Sequence, residues 1–300
     1  FPTKPAPYDL QGRTEDHLID YTPEIYAQAL AIAEAGNYFA PFFNPPTHFG
    51  GDQGNSTPRI CPGDTGGVNI TGPAVADPVL GIMFITSHSG CGGRILEPGI
   101  DSPMDHDQQT GTTISQWINC RGGCGRGAAV AARGGGRGAG AAAGGRGGGR
   151  GGRGGRGGAR VNPQSIDGLS IWKGPAGRIS AIDMNTGEYL WVIPNGDASE
   201  AQQELLRNHP LLQGLDPALT NPGRGGHSAM VVTPTLLLAS GQTADGTQNL
   251  FAIDKLTGAR VGTVPLPGGT RYGMSSWAHE GKQYVMIQLS GGLAALALPE

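Results

Sequence analysis

The sequence predicts an all-β fold, an incomplete β-propeller, and three observations lead there. Short runs rich in branched and aromatic residues follow one another through the C-terminal half. Turn signals separate them every 8–12 residues, the spacing of a sandwich, barrel or propeller. An internal repeat then decides among these. GRISAIDMNTGEYLWVIPNG (177–196) is echoed by QNLFAIDKLTGARVGTVPLPG (248–268), each with Ala-Ile-Asp, two variable residues, Thr-Gly and a strand with a Pro-containing exit. The offset from Asp183 to Asp254 is 71 residues, longer than a blade of about 40–50 residues, so an insertion has stretched it. AVADPVLGIMFIT (74–86) reads as a weaker relative and a further blade. Units that each leave an apolar face for the next to cover are what a propeller requires.

Residues 1–50 read as an extended linker with one short helix. FPTKPAPYD is punctuated by proline, and TPEIYAQALAIAEAG follows. There Thr22 is the expected N-cap, Pro23 the first helical residue, Glu24 a first-turn acid and Gly36 the stop. Ile25, Ala29, Ile32 and Ala33 share one face, so the helix packs on something larger. A second helical turn is expected at Ser199–Arg207. Residues 51–120 are assigned to propeller blade material, with Leu80–Thr86 as a strand after the turn Asp77-Pro78.

Residues 121–167 form a Gly/Arg-rich insert. Between 121 and 160 lie twenty of the 54 glycines and nine of the 21 Lys+Arg, with no Asp or Glu. Val130 is its one β-branched residue and it holds no aromatic, so nothing offsets the entropy of ordering it, and disorder is expected. Arg-Gly-Gly boxes that bind RNA carry interspersed aromatics for stacking, and these are absent. Removing the nine charges from the net charge of −3 leaves −12 for the remainder. That acidic body argues against nucleic acid as a partner, since phosphate binding needs clustered Lys and Arg on a folded face.

Residues 168–300 are assigned to the C-terminal blades. Strands are expected at Arg178–Ile182, Glu188–Ile193, Ala229–Val232, Thr235–Ser240, Asn249–Ile253, Arg260–Val264, Gln283–Leu289 and Leu293–Leu298. The Asp-x-x-Thr-Gly turn closes a hairpin, and Trp191 is expected to lie across the neighbouring blade as an apolar cap. Its counterpart in the second copy is Gly262, so that cap is lost.

The segment from Gly168 onward resembles the pyrroloquinoline-quinone-dependent dehydrogenases, in the branch near membrane-bound glucose dehydrogenase. LSIWKGPAGRISAIDMNTGEYLWVIPNGD (169–197), RNHPLLQGLD (207–216), NPGRGG (221–226), VTPTLLLASG (232–241), FAIDKLTG (251–258) and HEGKQYVMI (279–287) carry it in order. The FPTKPAP…TPEIYAQAL opening, YFAPFFNPP (38–46) and DTGGVNITGPAVADPVLGIMFI (64–85) extend it over most of the chain outside 90–167. A lone AxDxxTG would not be specific, because scaffold propellers of outer-membrane assembly share it. The resemblance implies the C-terminal blades of an eight-bladed quinoprotein propeller that oxidises a sugar or alcohol hydroxyl. It further implies pyrroloquinoline quinone with Ca²⁺ as cofactors, a quinone or cytochrome as electron acceptor, and a bacterial periplasmic address. The alternative function is a non-catalytic propeller scaffold for protein–protein contacts, favoured by the lost cap at Gly262.

By the same resemblance the catalytic Asp and the Ca²⁺ ligands lie upstream of Phe1, so no catalytic or metal residue is assigned to this chain. Phe1 is not an initiator Met, and the chain reads as a fragment or processed product that is inactive without its N-terminal blades. One cofactor contact is expected, Asn69, in Gly66-Gly67-Val68-Asn69-Ile70, where relatives carry Gly-Gly-x-Asn-Trp; Ile70 departs from that pattern. Asp105-His106-Asp107 reads as a solvated loop rather than metal ligands, and Cys120…Cys124 as a local disulfide or free thiols rather than half a zinc site. Lys173 and Arg178 are expected in ion pairs at a blade edge. In a periplasmic protein, Cys61 and Cys91 are expected to pair and close a loop of about 30 residues.

Overall fold

The structure is a computed structural model that describes residues 3–45, 47–48, 59–62, 67, 72–93, 95–97, 116–118, 164–215, 222–224 and 226–297. The chain divides into two compact units. The larger comprises Phe1–Pro45, Pro58–Gly92 and Gln164–Glu300; the smaller comprises Pro46–Thr57 and Gly93–Pro163. The smaller unit contains a three-stranded sheet in which Thr47–His48 runs parallel to Ile95–Glu97, itself antiparallel to Gln116–Ile118. The Gly/Arg-rich stretch 121–160, the Asp105–Asp107 triplet, and Cys120 and Cys124 lie outside the described residues.

The larger unit is all-β in its body, a partial propeller of three consecutive sheets. The first has the order Glu188–Pro194, Gly177–Asp183, Ile82–His88, Val75–Asp77, antiparallel throughout. The second runs Met230–Val232, Leu236–Gln242, Gln248–Asp254, Arg260–Pro265. The third has three strands, Thr270–His279, Lys282–Leu289 and Gly292–Ala297. The first strands of the three sheets lie beside one another, as the innermost strands of successive blades do.

This topology corrects one expectation. The run 74–86 is not a further blade but the first half of the blade that 177–196 completes. Residues 82–88 pair in full register with 177–183, Ile82 opposite Asp183 and His88 opposite Gly177. Everything from 89 to 176 is therefore inserted between the second and third strands of one blade. The two copies of the repeat are equivalent strand pairs of adjacent blades, because Ala181 faces Trp191 as Ala252 faces Gly262, with the same register shift one residue on. What lengthens the offset is the connection between blades, which contains the helix Glu200–Asn208, capped by Ser199 and Gln202.

The resemblance of 74–86 to the repeat has a local cause. Asp77–Gly81, Asp183–Gly187 and Asp254–Gly258 are the same kind of turn. In each, a carboxylate oxygen accepts amide protons from residues just ahead, Val79 and Leu80, Asn185, or Leu256 and Thr257. In each, a glycine at positive φ (66°, 72° and 75°) closes the turn onto the Asp carbonyl. An Asp side chain mimics a backbone acceptor, and only glycine adopts that φ at little cost.

The main core lies between the first two blades. Ile82, Phe84, Ile179 and Ala181 of one pack on Met230, Leu237, Ala239, Phe251 and Ile253 of the next. Each large side chain buried there contributes about 1.5–3 kcal/mol. The outer strand Glu188–Pro194 sends Trp191 and Ile193 onto this core while Leu190 and Val192 stay exposed. Trp191 crosses to the next blade as expected: its Nε1 donates to the Lys255 carbonyl at 3.0 Å and its ring fills the space above Gly258. Lys255 in turn reaches back to Asp77 of the first blade, and also donates to the Thr233 and Pro234 carbonyls.

A satellite core sits under the N-terminal segment. The helix Pro23–Ala35 begins as expected, with Thr22 Oγ1 accepting from the Ile25 amide at 3.2 Å, and stops at Gly36. Its buried Ile25, Ala29 and Ala33 pack on Leu18, Ile19, Ile166, Leu169, Ile171 and Leu212. Ahead of it, residues 4–9 lie along the first blade. Tyr189 Oη donates to the Ala6 carbonyl, Arg178 Nε to the Tyr8 carbonyl, and Lys4 pairs with Glu188. Among the described residues no helix is long and apolar enough to cross a membrane.

Candidate functional site

The Asp-x-x-x-Gly turns occupy one end of the first two blades, so the opposite end collects the other strand termini. There Thr86–His88 finish a strand, Gly177 and Arg178 begin one, Asn195 follows one, and Ser228 precedes the first strand of the second blade. Three distant segments meet on buried polar groups. Ser228 donates from its backbone amide to Thr86 Oγ1 at 3.0 Å and from Oγ to Asn195 Oδ1 at 2.5 Å. Asn195 Nδ2 donates to the Gly226 carbonyl at 3.2 Å. Thr86, Asn195 and Ser228 are all buried, and each is satisfied, which is the condition for keeping polar groups out of water.

Two histidines rim this floor. His88 exchanges two backbone hydrogen bonds with Gly67, at 2.9 and 3.1 Å, and its Nδ1 donates to the Ala176 carbonyl at 3.2 Å. His227 Nε2 donates to the Gly67 carbonyl at 2.8 Å. The rings meet edge to face with centroids 6.3 Å apart. Burial lowers the His88 pKa and the nearby His227 lowers it further, outweighing the Ala176 carbonyl, which raises it. His88 is therefore a neutral imidazole near pH 7.

Asn69 itself lies outside the described residues, but both flanks of its segment are placed. Gly67 is held between His88 and His227. Gly72 lies so close to the next blade that a Cβ there would stand 3.0 Å from the Ser228 carbonyl and 3.2 Å from His227 Cβ. Gly67 and Gly72, the described residues on either side of 68–71, are thus both held against this polar floor. On its approach, Cys61 and Cys91 form the expected disulfide, with Cα atoms 4.5 Å apart and a sequence separation of 30.

Lys173 and Arg178 are both in ion pairs. Lys173 Nζ is 2.8 Å from Asp20 Oδ2, and Arg178 Nη2 is 2.8 Å from Asp9 Oδ1. Arg178 also donates to Ser89 Oγ and the Pro175 carbonyl, so its donors are spent on structure. His209 is buried with Nε2 on the Ile166 carbonyl and Nδ1 accepting from the Leu211 amide, a packing role. Among the described residues, no three His, Cys, Asp or Glu side chains come together as a metal site.

Comparison with known proteins agrees with this architecture. Residues 140–285 match the family described as PQQ: glucose/ethanol/alcohol dehydrogenase, beta-propeller domain. The match spans 146 of the 300 residues, just under half of the chain. A glycerol dehydrogenase large subunit from Gluconobacter thailandicus is 35% identical over 127 residues, which are 41% of this chain and 16% of that protein. The chain thus matches only a small part of that relative's length. Among solved structures, a quinohemoprotein alcohol dehydrogenase from Pseudomonas putida HK5 is 14% identical, aligns with 74% of this chain and 22% of its own, and gives a TM-score of 0.33. Both copies of the strand repeat, 177–196 and 248–268, lie within the matched residues.

Proposed function

We propose that this chain supplies C-terminal blades to a quinoprotein oxidoreductase that oxidises a sugar or alcohol hydroxyl with pyrroloquinoline quinone. The observation that carries this is the family match over residues 140–285, on a region whose blades repeat residue for residue. Bound in the intact protein, pyrroloquinoline quinone would supply a hydride acceptor for the alcohol carbon and a relay of electrons to ubiquinone or a cytochrome. The polar side chains of the floor spend hydrogen bonds on one another and on the backbone, Ser228 on Asn195, and His88 and His227 on carbonyls. The cofactor contact assigned to this chain is therefore Asn69, which lies in sequence between the held glycines Gly67 and Gly72. Ca²⁺ ligands and the catalytic Asp are assigned to blades outside this chain, and the protein to the periplasm. A scaffold role for protein partners is the second reading, motivated by Gly262 in place of a blade-capping tryptophan.

The test is dye-linked oxidation of glycerol, glucose and ethanol by a longer protein that joins these blades to the upstream ones, supplied with pyrroloquinoline quinone and Ca²⁺. Turnover there, with none from the 300-residue chain alone, is the expected result. No turnover and no quinone absorbance bound by the longer protein favours the scaffold. Sustained turnover by this chain alone overturns the placement of the catalytic Asp upstream.

A further inference from the structure

Away from the polar floor, two arginines are backed by aromatic rings and, among the described residues, neither has a carboxylate partner. Arg13 is fixed by its backbone, which donates to the Ala40 carbonyl at 2.6 Å and accepts from the Ala40 amide at 2.9 Å. Its guanidinium lies 4.2 Å from the centre of the Trp172 ring. That ring is held in turn by Nε1 donating to Gln164 Oε1 at 2.7 Å and by Phe39 edge-on at 6.3 Å. Arg59 places its guanidinium 5.0 Å from the Tyr38 ring centre, and its carbonyl accepts from Asn44 Nδ2 at 2.8 Å. Tyr38, Phe39 and Ala40 are consecutive, so both guanidiniums gather beside one short stretch of chain.

Among the described residues, no Asp or Glu forms an ion pair with either arginine, whereas Lys4, Lys173, Arg178, Lys255 and Arg260 each have one. Arg13 Nε is buried with no hydrogen-bond partner. The Arg13 pKa is pushed down to about 10, first by burial and then by the charge of Arg59. Two like charges held together at partial burial are unfavourable unless an anion joins them. A guanidinium stacked by its face on an aromatic keeps its in-plane donors free for bidentate bonding.

We infer that Arg13 and Arg59 form a binding site for a small oxyanion, a carboxylate or a phosphate, backed by Trp172 and Tyr38. The site is independent of the quinone function, because its donors come from the N-terminal segment and from the strand start at Arg59. One oxyanion sits between the two planar forks and neutralises both charges.

Isothermal titration of the whole chain in a chloride buffer, with inorganic phosphate in one arm and citrate in the other, tests this. Binding in either arm is expected, and which arm binds identifies the oxyanion class. Arg59→Gln should weaken it by about tenfold or more, the loss of charge-assisted hydrogen bonds, while the melting temperature without anion stays unchanged. Arg59→Lys should recover only part of it, since a point charge lacks the fork. Arg13→Gln serves as a second variant. No binding in either arm, binding undiminished in both glutamine variants, or a crystal structure with a carboxylate of this same chain seated on the two guanidiniums would overturn the proposal.

Discussion

Gly258 shows how much one hydrogen atom can decide. A Cβ at that position would lie 2.9 Å from Trp191 Cδ2 and 3.1 Å from Trp191 Cε3, on a backbone with φ of 75°. Gly258→Ala is therefore expected to cost about 2–4 kcal/mol, from overpacking plus left-handed strain. Replacing Trp191 by glycine, as nature has done at Gly262, removes the ring that the methyl strikes. Gly258→Ala should then cost less in a Trp191→Gly background, leaving the strain and the tight approach to Ile193 Cγ2 at 3.1 Å. Urea unfolding of the four proteins of this cycle measures the coupling, and strict additivity would contradict the contact. The buried pair of Lys255 and Asp77 makes a prediction in pH. The Asp77 carboxyl is held below the usual carboxylate range, first by Lys255, then by the amide of Leu80 and, after the opposing effect of burial, by that of Val79. A depressed carboxylate stabilises the fold above its unfolded pKa of about 4, and that stability is lost as pH falls through the lower folded value. Asp77→Asn should flatten part of the acid limb of the stability profile below about pH 4. Lys255→Met, which strands a buried carboxylate, should lower the urea midpoint at pH 7. Profiles that superimpose on the wild type in both variants would remove Asp77 from the account.

Among the elements, what could be read from sequence was whatever is decided within a few residues. The helix Pro23–Ala35, its Thr22 cap and the Asp-x-x-x-Gly turns all follow from local spacing, and all are present. The strand Thr270–His279 was not legible, because Gly273 and a register shift between Thr270 and Met274 break its alternation. Nor was the pairing of 82–88 with 177–183, since no local signal marks a partner on the far side of residues 89–176. The polar floor escaped for the same reason. Thr86, Asn195 and Ser228 are ordinary loop and strand-end residues until the fold brings them together, and no local spacing marks His88 or His227 as their neighbours. Two tests address these elements. Cys61→Ser with Cys91→Ser reopens the loop between residues 30 apart and should cost about 3–4 kcal/mol in the chain-entropy model; denaturation with and without reductant reads the same quantity in the parent chain. A change well under 1 kcal/mol would mean that the loop is held closed without its bridge. Excising 121–160 shortens the connection between two paired strands, which by loop-closure entropy stabilises the blade by only about 0.5 kcal/mol. Calorimetry should find the melting temperature of the excised chain unchanged or slightly raised. A fall of several degrees would show that the insert contributes contacts to the fold.

At the scale of the whole molecule, the edges of the sheets differ in how they are finished. The outer strand of the first blade is strapped by residues 4–9, through Lys4 on Glu188 and the Tyr189 hydroxyl on the Ala6 carbonyl. The outer strand of the second is fastened at Arg260, which grips Asp197 with two donors at 2.9 and 3.1 Å and lies over Phe251. The third sheet has three strands where its neighbours have four, and among the described residues no strand pairs with the outer side of Gly292–Ala297. That strand carries Leu293 at 68% exposure, with neither charge nor proline along GLAALA to discourage a neighbour. An apolar edge with free backbone donors and acceptors is a template for another chain. The chain expressed alone should therefore associate as its concentration rises, with the added strand supplied by a second copy. Sedimentation velocity over a concentration series measures this directly. Leu293→Lys with Ala295→Lys places two charges along that edge and should shift the population toward monomer without lowering the melting temperature, because both positions are exposed or only partly covered. A monomer at all concentrations in the parent chain, or association unchanged in the lysine variant, would move the contact away from this edge.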